Sequence, residues 1–85
     1  MITLSRLTTS LDPELAVLRV LAPGGQLTLI QLARDTRLRR WVTRTAIEYL
    51  DARGLVVPTY AHDRWRITST GRALLTQAKE AQRER

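Results

Sequence analysis

Leucines recur every three or four residues near the start of the chain, from Leu11 to Leu21, which is the spacing of one apolar face of a helix. Asp12 and Pro13 suit the N-cap and the first position of such a helix. The Pro-Gly-Gly run at residues 23–25 ends the pattern. The sequence therefore predicts a first helix between Asp12 and this run.

A second, short helix is predicted from Thr28 onwards. Thr28 and Gln31 are three residues apart, the spacing of a capping box, and an apolar face follows at Leu29, Leu32 and Ala33. Residues 26–27 before it favour a brief strand.

A third helix is predicted over about residues 38–53, ending at Gly54 in a left-handed cap. Its apolar positions share one side at about 100° per residue. They are Val42, Ala46, Ile47, Tyr49 and Leu50.

After Gly54 the period changes from helical to alternating. Residues 55–57 and 65–68 are rich in strand formers, and the turn between them is predicted at residues 61–64. Pro58 suits an edge strand, because it cannot donate a ladder hydrogen bond. Thr68 is the predicted N-cap of a last helix, whose apolar face is Leu74, Leu75, Ala78 and Ala81. The order α-(β)-α-α-β-β-α predicts an α+β winged helix-turn-helix.

The composition limits the classes of protein and site that are possible. The chain has 85 residues, 44% hydrophobic and 26% charged, which predicts one small domain over residues 11–85 after an N-terminal arm or short strand at residues 1–10. With no cysteine, a disulfide framework, a zinc ribbon and a thiol nucleophile are excluded. The single histidine, His62, has Asp63 beside it but only distant serines, so no catalytic triad is expected. We expect no enzyme activity, metal or cofactor and, without an apolar span or signal segment, a cytoplasmic location.

Charge is the most informative property. The chain carries 14 basic and 8 acidic residues, of which 13 basic residues are arginine, and its pI is near 11.3. Residues 34–72 hold nine arginines and four acids, which is most of the net charge of +6. A GC-rich coding sequence explains part of the arginine preference, but a concentrated basic surface points first to nucleic acid and then to an anionic membrane.

Several short motifs follow one another in a defined order over residues 27–76. They are Leu32-Ala33, Leu38, Leu50, Arg53-Gly54-Leu55-Val56 and Ile67-Thr68-Ser69-Thr70-Gly71. Their order and spacing resemble bacterial winged-helix transcriptional regulators of the MarR/PadR type. Two positions differ, because Arg37 stands where the family usually has glycine and Thr43 where it usually has valine. Family members often carry longer dimerisation helices and a ligand pocket, which this chain is too short to hold together. No small-molecule effector is therefore expected.

The third helix provides the main candidate site. If Ala46 and Leu50 are central to its buried face, a charged row falls on the opposite side, flanked by Trp41 and Thr45. The row is Arg37, Arg40, Arg44 and Glu48. Such a helix enters the major groove of DNA, where arginine binds guanine or phosphate. The alternative is a solvated helix face, although residues 34–44 hold five arginines and only one acid.

The remaining candidates are phosphate ligands. Thr28 is a phosphate clamp or a plain cap, and Arg39 is predicted nearer the buried side, facing a phosphate or an intradomain partner. Arg64 and Arg66 of the wing face phosphates or the minor groove, with Trp65 packed inward. Trp41 suits a thymine methyl, a sugar or a protein partner, whereas Tyr49 and Tyr60 suit packing. The predicted DNA-binding residues are Thr28, Arg37, Arg39, Arg40, Trp41, Arg44, Thr45, Arg64 and Arg66.

The sequence thus predicts a sequence-specific double-stranded DNA-binding protein that regulates transcription. Repression is the working assumption, although no residue distinguishes a repressor from an activator. A monomer reads too few base pairs for useful specificity, so a homodimer is expected. Its surface is the N-terminal arm, the first helix or the Leu74/Leu75/Ala78 face. Two alternatives stay open: a winged helix that binds an acidic protein partner, and an architectural or recombination accessory protein that bends DNA.

Overall fold

The computed structural model describes residues 12–59 and 63–83. In these ranges the elements follow the chain in the order α1 (Asp12–Leu21), β1 (Leu27–Thr28), α2 (Leu29–Thr36), α3 (Arg40–Ala52), β2 (Val56–Pro58), β3 (Arg64–Ile67) and α4 (Ser69–Arg83). This order confirms the predicted α+β winged helix-turn-helix, including the strand before the second helix. The predicted N-terminal arm, Leu11, Tyr60 and His62 lie outside the described residues.

One apolar core joins all four of these helices to the sheet. Val17, Leu18 and Leu21 of α1 are completely buried; the leucine spacing predicted this for Leu18 and Leu21 but not for Val17. The other buried apolar side chains are Leu32, Ala46, Ile47, Leu50, Leu55, Val56, Ile67 and Leu75. Because α1 packs against α2, α3 and α4, it holds the two central helices at a fixed mutual orientation.

The start of α2 has the predicted capping box. The Gln31 amide donates to the Thr28 hydroxyl at 3.1 Å, and the Thr28 amide donates to Gln31 Oε1 at 2.9 Å. Each bond satisfies an amide that the first turn of a helix leaves unpaired. The first residues of α2 are thereby fixed beside β1.

The turn between α2 and α3 corrects the predicted start of the third helix. Arg37 ends α2 in the left-handed conformation, with φ 62°, and the Leu38 amide bonds the Ala33 carbonyl at 3.1 Å. Arg39 is the extended N-cap of α3, so the helix begins two residues later than predicted. The positive φ of Arg37 interrupts the helical path, so α3 begins only after this turn. The family that the sequence resembles usually has glycine at this position, because glycine adopts a positive φ without strain.

The buried face of α3 differs slightly from the predicted one. Thr43 is completely buried, and its hydroxyl donates to the Arg39 carbonyl at 3.0 Å. Tyr49 was predicted on the apolar side but is 40% exposed, with the Arg53 guanidinium 4.3 Å from its ring centroid. Val42 is half-buried. One face of the Tyr49 ring thus contacts the cation at the C-cap of its helix.

The three described strands form an antiparallel sheet in the order β1-β3-β2. Pro58 lies in the edge strand β2, as its missing amide hydrogen predicted. Trp65 is half-buried against the core whereas Arg66 is exposed, which confirms the predicted alternation. The β2–β3 hairpin is the wing of the fold.

The first turn of α4 packs against the residues that follow α3. The Thr68 hydroxyl accepts from the Gly71 amide at 3.0 Å, which confirms the predicted cap, and donates to the Gly54 carbonyl at 2.8 Å. Gly71 is buried against the Leu55 carbonyl. Farther along α4, Leu75 is only 4% exposed, so it belongs to the core and not to a free dimer face; Leu74 is 38% exposed.

Candidate nucleic-acid interface

The wing, the start of α2 and residues 40–48 of α3 surround an open groove of about 520 Å³. Its polar lining consists of Thr28, Arg40, Arg44, Glu48, Asp63 and Arg64. Ile30, 62% exposed, and the half-buried Trp65 provide apolar lining. The groove therefore brings together four of the nine predicted site residues, from three separate elements.

Strand pairing explains why the wing and α2 share this groove. β1 and β3 are antiparallel, with Thr28 opposite Arg64 and Leu27 opposite Trp65. Thr28 is also the cap of α2, so the short strand ties the helix start to the wing. Partners on neighbouring strands lie about 5 Å apart, which brings the Arg64 side chain within reach of the same ligand as the α2 amides.

The arginines of α3 share the groove because of their helical spacing. Arg40 and Arg44 are four residues apart, so they project from one face at an axial separation of about 6 Å. Glu48 follows after the same interval. All three side chains are exposed, whereas Ala46 and Ile47 between them are buried. The core contacts of α3 thus turn its charged row towards the groove.

The charged groups of the groove are not paired with each other. Three guanidinium groups and two carboxylates line it, yet the described residues show no ion pair within 4.0 Å among them. The ion pair that is seen joins Arg34 and Asp35 on α2, at 3.5 Å. The groove arginines therefore remain able to bind an external anion.

Five predicted site residues lie outside the lining of this groove. Arg37 precedes α3, so it is not part of a three-arginine helical row as predicted. Arg39 was expected nearer the buried side, but it is exposed because it caps the helix. Trp41 is 68% exposed, and the Thr45 hydroxyl donates to its carbonyl at 3.0 Å. Arg66 is exposed on the wing.

Of the six lining residues that were not site candidates, three are exposed: Ile30, Glu48 and Asp63. Ile30 lies outside the apolar face of α2, and this was the available signal that it is exposed. Glu48 was placed on the charged row but given no role. Asp63 was assigned to the turn, and its φ of 60° agrees with that position.

Within residues 12–59 and 63–83, no group of three or more metal-ligating side chains is found. Over the same part of the chain, no helix has the length and apolar character needed to cross a membrane.

Two central helices, a capped turn between them and a β-hairpin after the second define the winged helix-turn-helix class. Solved structures of transcriptional regulators have the same fold. A MarR family regulator from Silicibacter pomeroyi DSS-3 superposes with a TM-score of 0.72 and 30% identity, over 86% of this chain and 54% of that one. BpsR from Bordetella bronchiseptica superposes with a TM-score of 0.75 and 25% identity, over 85% of this chain and 54% of that one. A further MarR family regulator from Silicibacter pomeroyi superposes with a TM-score of 0.79 and 24% identity, over 98% of this chain and 61% of that one.

The similarity to MarR family regulators inferred from sequence is thus confirmed by structure. The chain spans only 54–61% of the length of these three proteins. Neither a protein-family model nor a curated protein sequence matches it. DNA binding by BpsR is regulated by 6-hydroxynicotinic acid, so the comparison does not support our expectation that no effector acts.

Proposed function

We propose that this protein binds double-stranded DNA through the groove between α2, α3 and the wing, and that it regulates transcription. One observation carries the proposal: Thr28, Arg40, Arg44 and Arg64, which are distant in sequence, line one groove without internal ion pairs. The similarity to transcriptional regulators supports the same conclusion.

In this proposal α3 lies in the major groove. A helix with its side chains is about 10–12 Å across, and the major groove of B-DNA is about 12 Å wide. Arg40 and Arg44 then face base edges, where guanine presents two acceptors to one guanidinium. Arg64 and the amides at the Thr28 cap hold backbone phosphates on either side.

The predicted residues outside the groove lining have secondary roles here. Arg37, Arg39 and Arg66 are exposed cations at its margins and contribute phosphate contacts. Trp41 and Thr45 occupy the adjacent face of α3, where Trp41 meets a thymine methyl or a sugar. Their substitution is expected to change affinity less than substitution of Arg40 or Arg44.

We further propose that the protein acts as a homodimer on a two-fold site, since one recognition helix reads few base pairs. Leu74 on α4 is the candidate for the dimer contact, because α1 exposes only Arg19 among its residues 13–21. Sedimentation of the protein with and without DNA tests this directly.

A second candidate function is binding of an acidic protein partner. The exposed Trp41, which lies outside the groove lining, favours it because tryptophan and arginine are common anchors of protein interfaces. In that case the folded protein binds no DNA even at low salt, and an acidic partner depends on Trp41.

The test is a titration against a pool of random duplexes at about 50 and 200 mM salt, with the bound sequences read out. Arg40→Ala and Arg44→Ala are expected to cost about 1–3 kcal/mol of binding free energy and to relax base preference. Arg64→Ala is expected to weaken all sequences equally and to reduce the salt slope by about one.

Arg19→Ala is the matched control, because Arg19 is an exposed arginine of α1 that does not line the groove. It removes the same charge, so it measures the non-specific loss. If Arg40→Ala and Arg44→Ala change DNA binding no more than Arg19→Ala does, the assignment of this groove is wrong. Binding without any enriched sequence favours an architectural protein over a regulator.

A further inference from the structure

A carboxylate lies among the arginines of the groove, in a helix and not in a turn. Glu48 follows Arg44 by one turn on the exposed face of α3 and lines the groove with Arg40, Arg44 and Arg64. An acidic side chain repels phosphate, so its presence lowers affinity for DNA as a polyanion. Its position requires a specific explanation.

An intrahelical ion pair is not that explanation. No ion pair within 4.0 Å joins Glu48 to another described residue. The order arginine then glutamate, four residues apart, is also the less favourable direction for such a pair in a helix. The other groove carboxylate differs, because Asp63 is in a left-handed turn position, where aspartate is common for conformational reasons.

We propose that Glu48 is a specificity-determining residue that accepts a hydrogen bond from the exocyclic N4 amino group of cytosine. This inference rests on the DNA-binding function proposed above and names the base that the groove selects. In the major groove, cytosine presents a donor that suits a carboxylate, whereas guanine presents acceptors that suit arginine. Arg40, Arg44 and Glu48 thus offer two donor groups followed by one acceptor.

The helical rise fixes the spacing of this pattern. Arg44 and Glu48 are about 6 Å apart along the axis of α3, and base pairs are stacked about 3.4 Å apart. The selected half-site is therefore expected to contain a cytosine about two base pairs from the guanine bound by Arg44. Adenine also presents a donor, its N6 amino group, but the N7 acceptor beside it repels a carboxylate. At guanine and thymine the carboxylate loses its water without gaining a donor, so Glu48 selects mainly by penalising wrong sequences.

The experiment selects duplexes from a random pool with the wild-type protein, Glu48→Ala, Glu48→Gln and the control Asp51→Ala. Asp51 is an exposed acid near the end of α3 that does not line the groove. Its substitution by alanine changes the net charge by the same amount as Glu48→Ala does, but leaves the groove unaltered. Circular dichroism checks that each variant is folded; Glu48 is exposed and its substitution leaves the core unchanged.

The wild-type protein and Asp51→Ala are expected to prefer cytosine at one half-site position by roughly tenfold. Glu48→Ala is expected to lose that preference while binding other sequences as tightly or more tightly. Glu48→Gln is expected to shift the preference towards adenine, which glutamine binds through N6 and N7.

Unchanged base preference in Glu48→Ala overturns the role of Glu48 and leaves the proposed DNA binding intact. The role is also overturned if the wild-type protein binds DNA without preferring cytosine at any position. If the folded wild-type protein binds no duplex at low salt, the proposed function itself fails.

Discussion

Gly71 provides the sharpest test of the fold, because replacing it by alanine has opposite expected effects under two explanations. An ordinary glycine inside a helix destabilises it, so alanine normally adds about 0.5–1 kcal/mol of stability. Gly71 is in the first turn of α4 and has no left-handed φ that would require glycine. If only helix propensity mattered, Gly71→Ala would be more stable than the wild-type protein.

The surroundings of Gly71 predict the reverse. A Cβ atom at this position would lie 2.3 Å from the Leu55 carbonyl oxygen and 2.8 Å from Ile67 Cγ1. The Leu55 carbonyl accepts a bond from the Thr68 amide at 3.1 Å. It also lies 3.1 Å from the Thr68 hydroxyl, whose single proton it shares with the Gly54 carbonyl, so it cannot move away without weakening these bonds. Ile67 is 5% exposed and equally confined.

The expected magnitude follows from these contacts. Overpacking of a core costs about 1–3 kcal/mol, and a fixed backbone oxygen places Gly71→Ala near the upper end. After subtracting the gain in helix propensity, the net loss is about 2 kcal/mol, or a fall in Tm of about 8–16 °C for a domain of this size.

Urea unfolding followed by circular dichroism measures this loss. Ala73→Gly is the matched control, because Ala73 is exposed in the same helix and its substitution isolates the propensity contribution of about 1 kcal/mol. A Gly71→Ala variant as stable as the wild-type protein, or more stable, would refute the close approach of α4 to Leu55.

Four further substitutions test the local structure by the same urea assay. Arg37→Gly is expected to raise stability by about 1 kcal/mol, because glycine adopts a φ of 62° without strain; unchanged or lower stability counts against the left-handed turn. Thr28→Ala is expected to lose about 1 kcal/mol with the capping box, and Gln31→Ala should lose a similar amount, since each bond depends on one of these side chains. Thr43→Val is expected to be neutral or stabilising by up to about 1 kcal/mol, because the Arg39 carbonyl keeps its bond to the Thr43 amide at 2.9 Å; a loss above about 1 kcal/mol would show that the hydroxyl is needed.

Local signals were sufficient to predict the order of the elements and several of their caps. The capping box of α2, the Thr68 cap of α4 and the edge position of Pro58 depend on residues within a few positions of each other, so the sequence contains them. The left-handed Gly54, with φ 74°, was predictable for the same reason.

Periodicity identified the charged face of α3 but not its start or its exact rotation. A shift of one residue turns a helix face by about 100°, which is why Thr43 is buried and Tyr49 is not. Arg37 was placed on the charged row of α3 because its spacing fitted, whereas the turn after α2 holds it outside that helix. Such errors follow from contacts that the periodic pattern does not contain.

By itself the sequence determined the order of elements, the basic character of the protein and the arginines of the third helix. Tertiary structure decided which of these arginines share one groove. Pairing of Thr28 with Arg64 joins residues 36 positions apart, and it depends on both strands packing on the same core. The groove, its carboxylates and the contact between Gly71 and Leu55 exist only when distant segments meet, because no local preference specifies which side chains become neighbours.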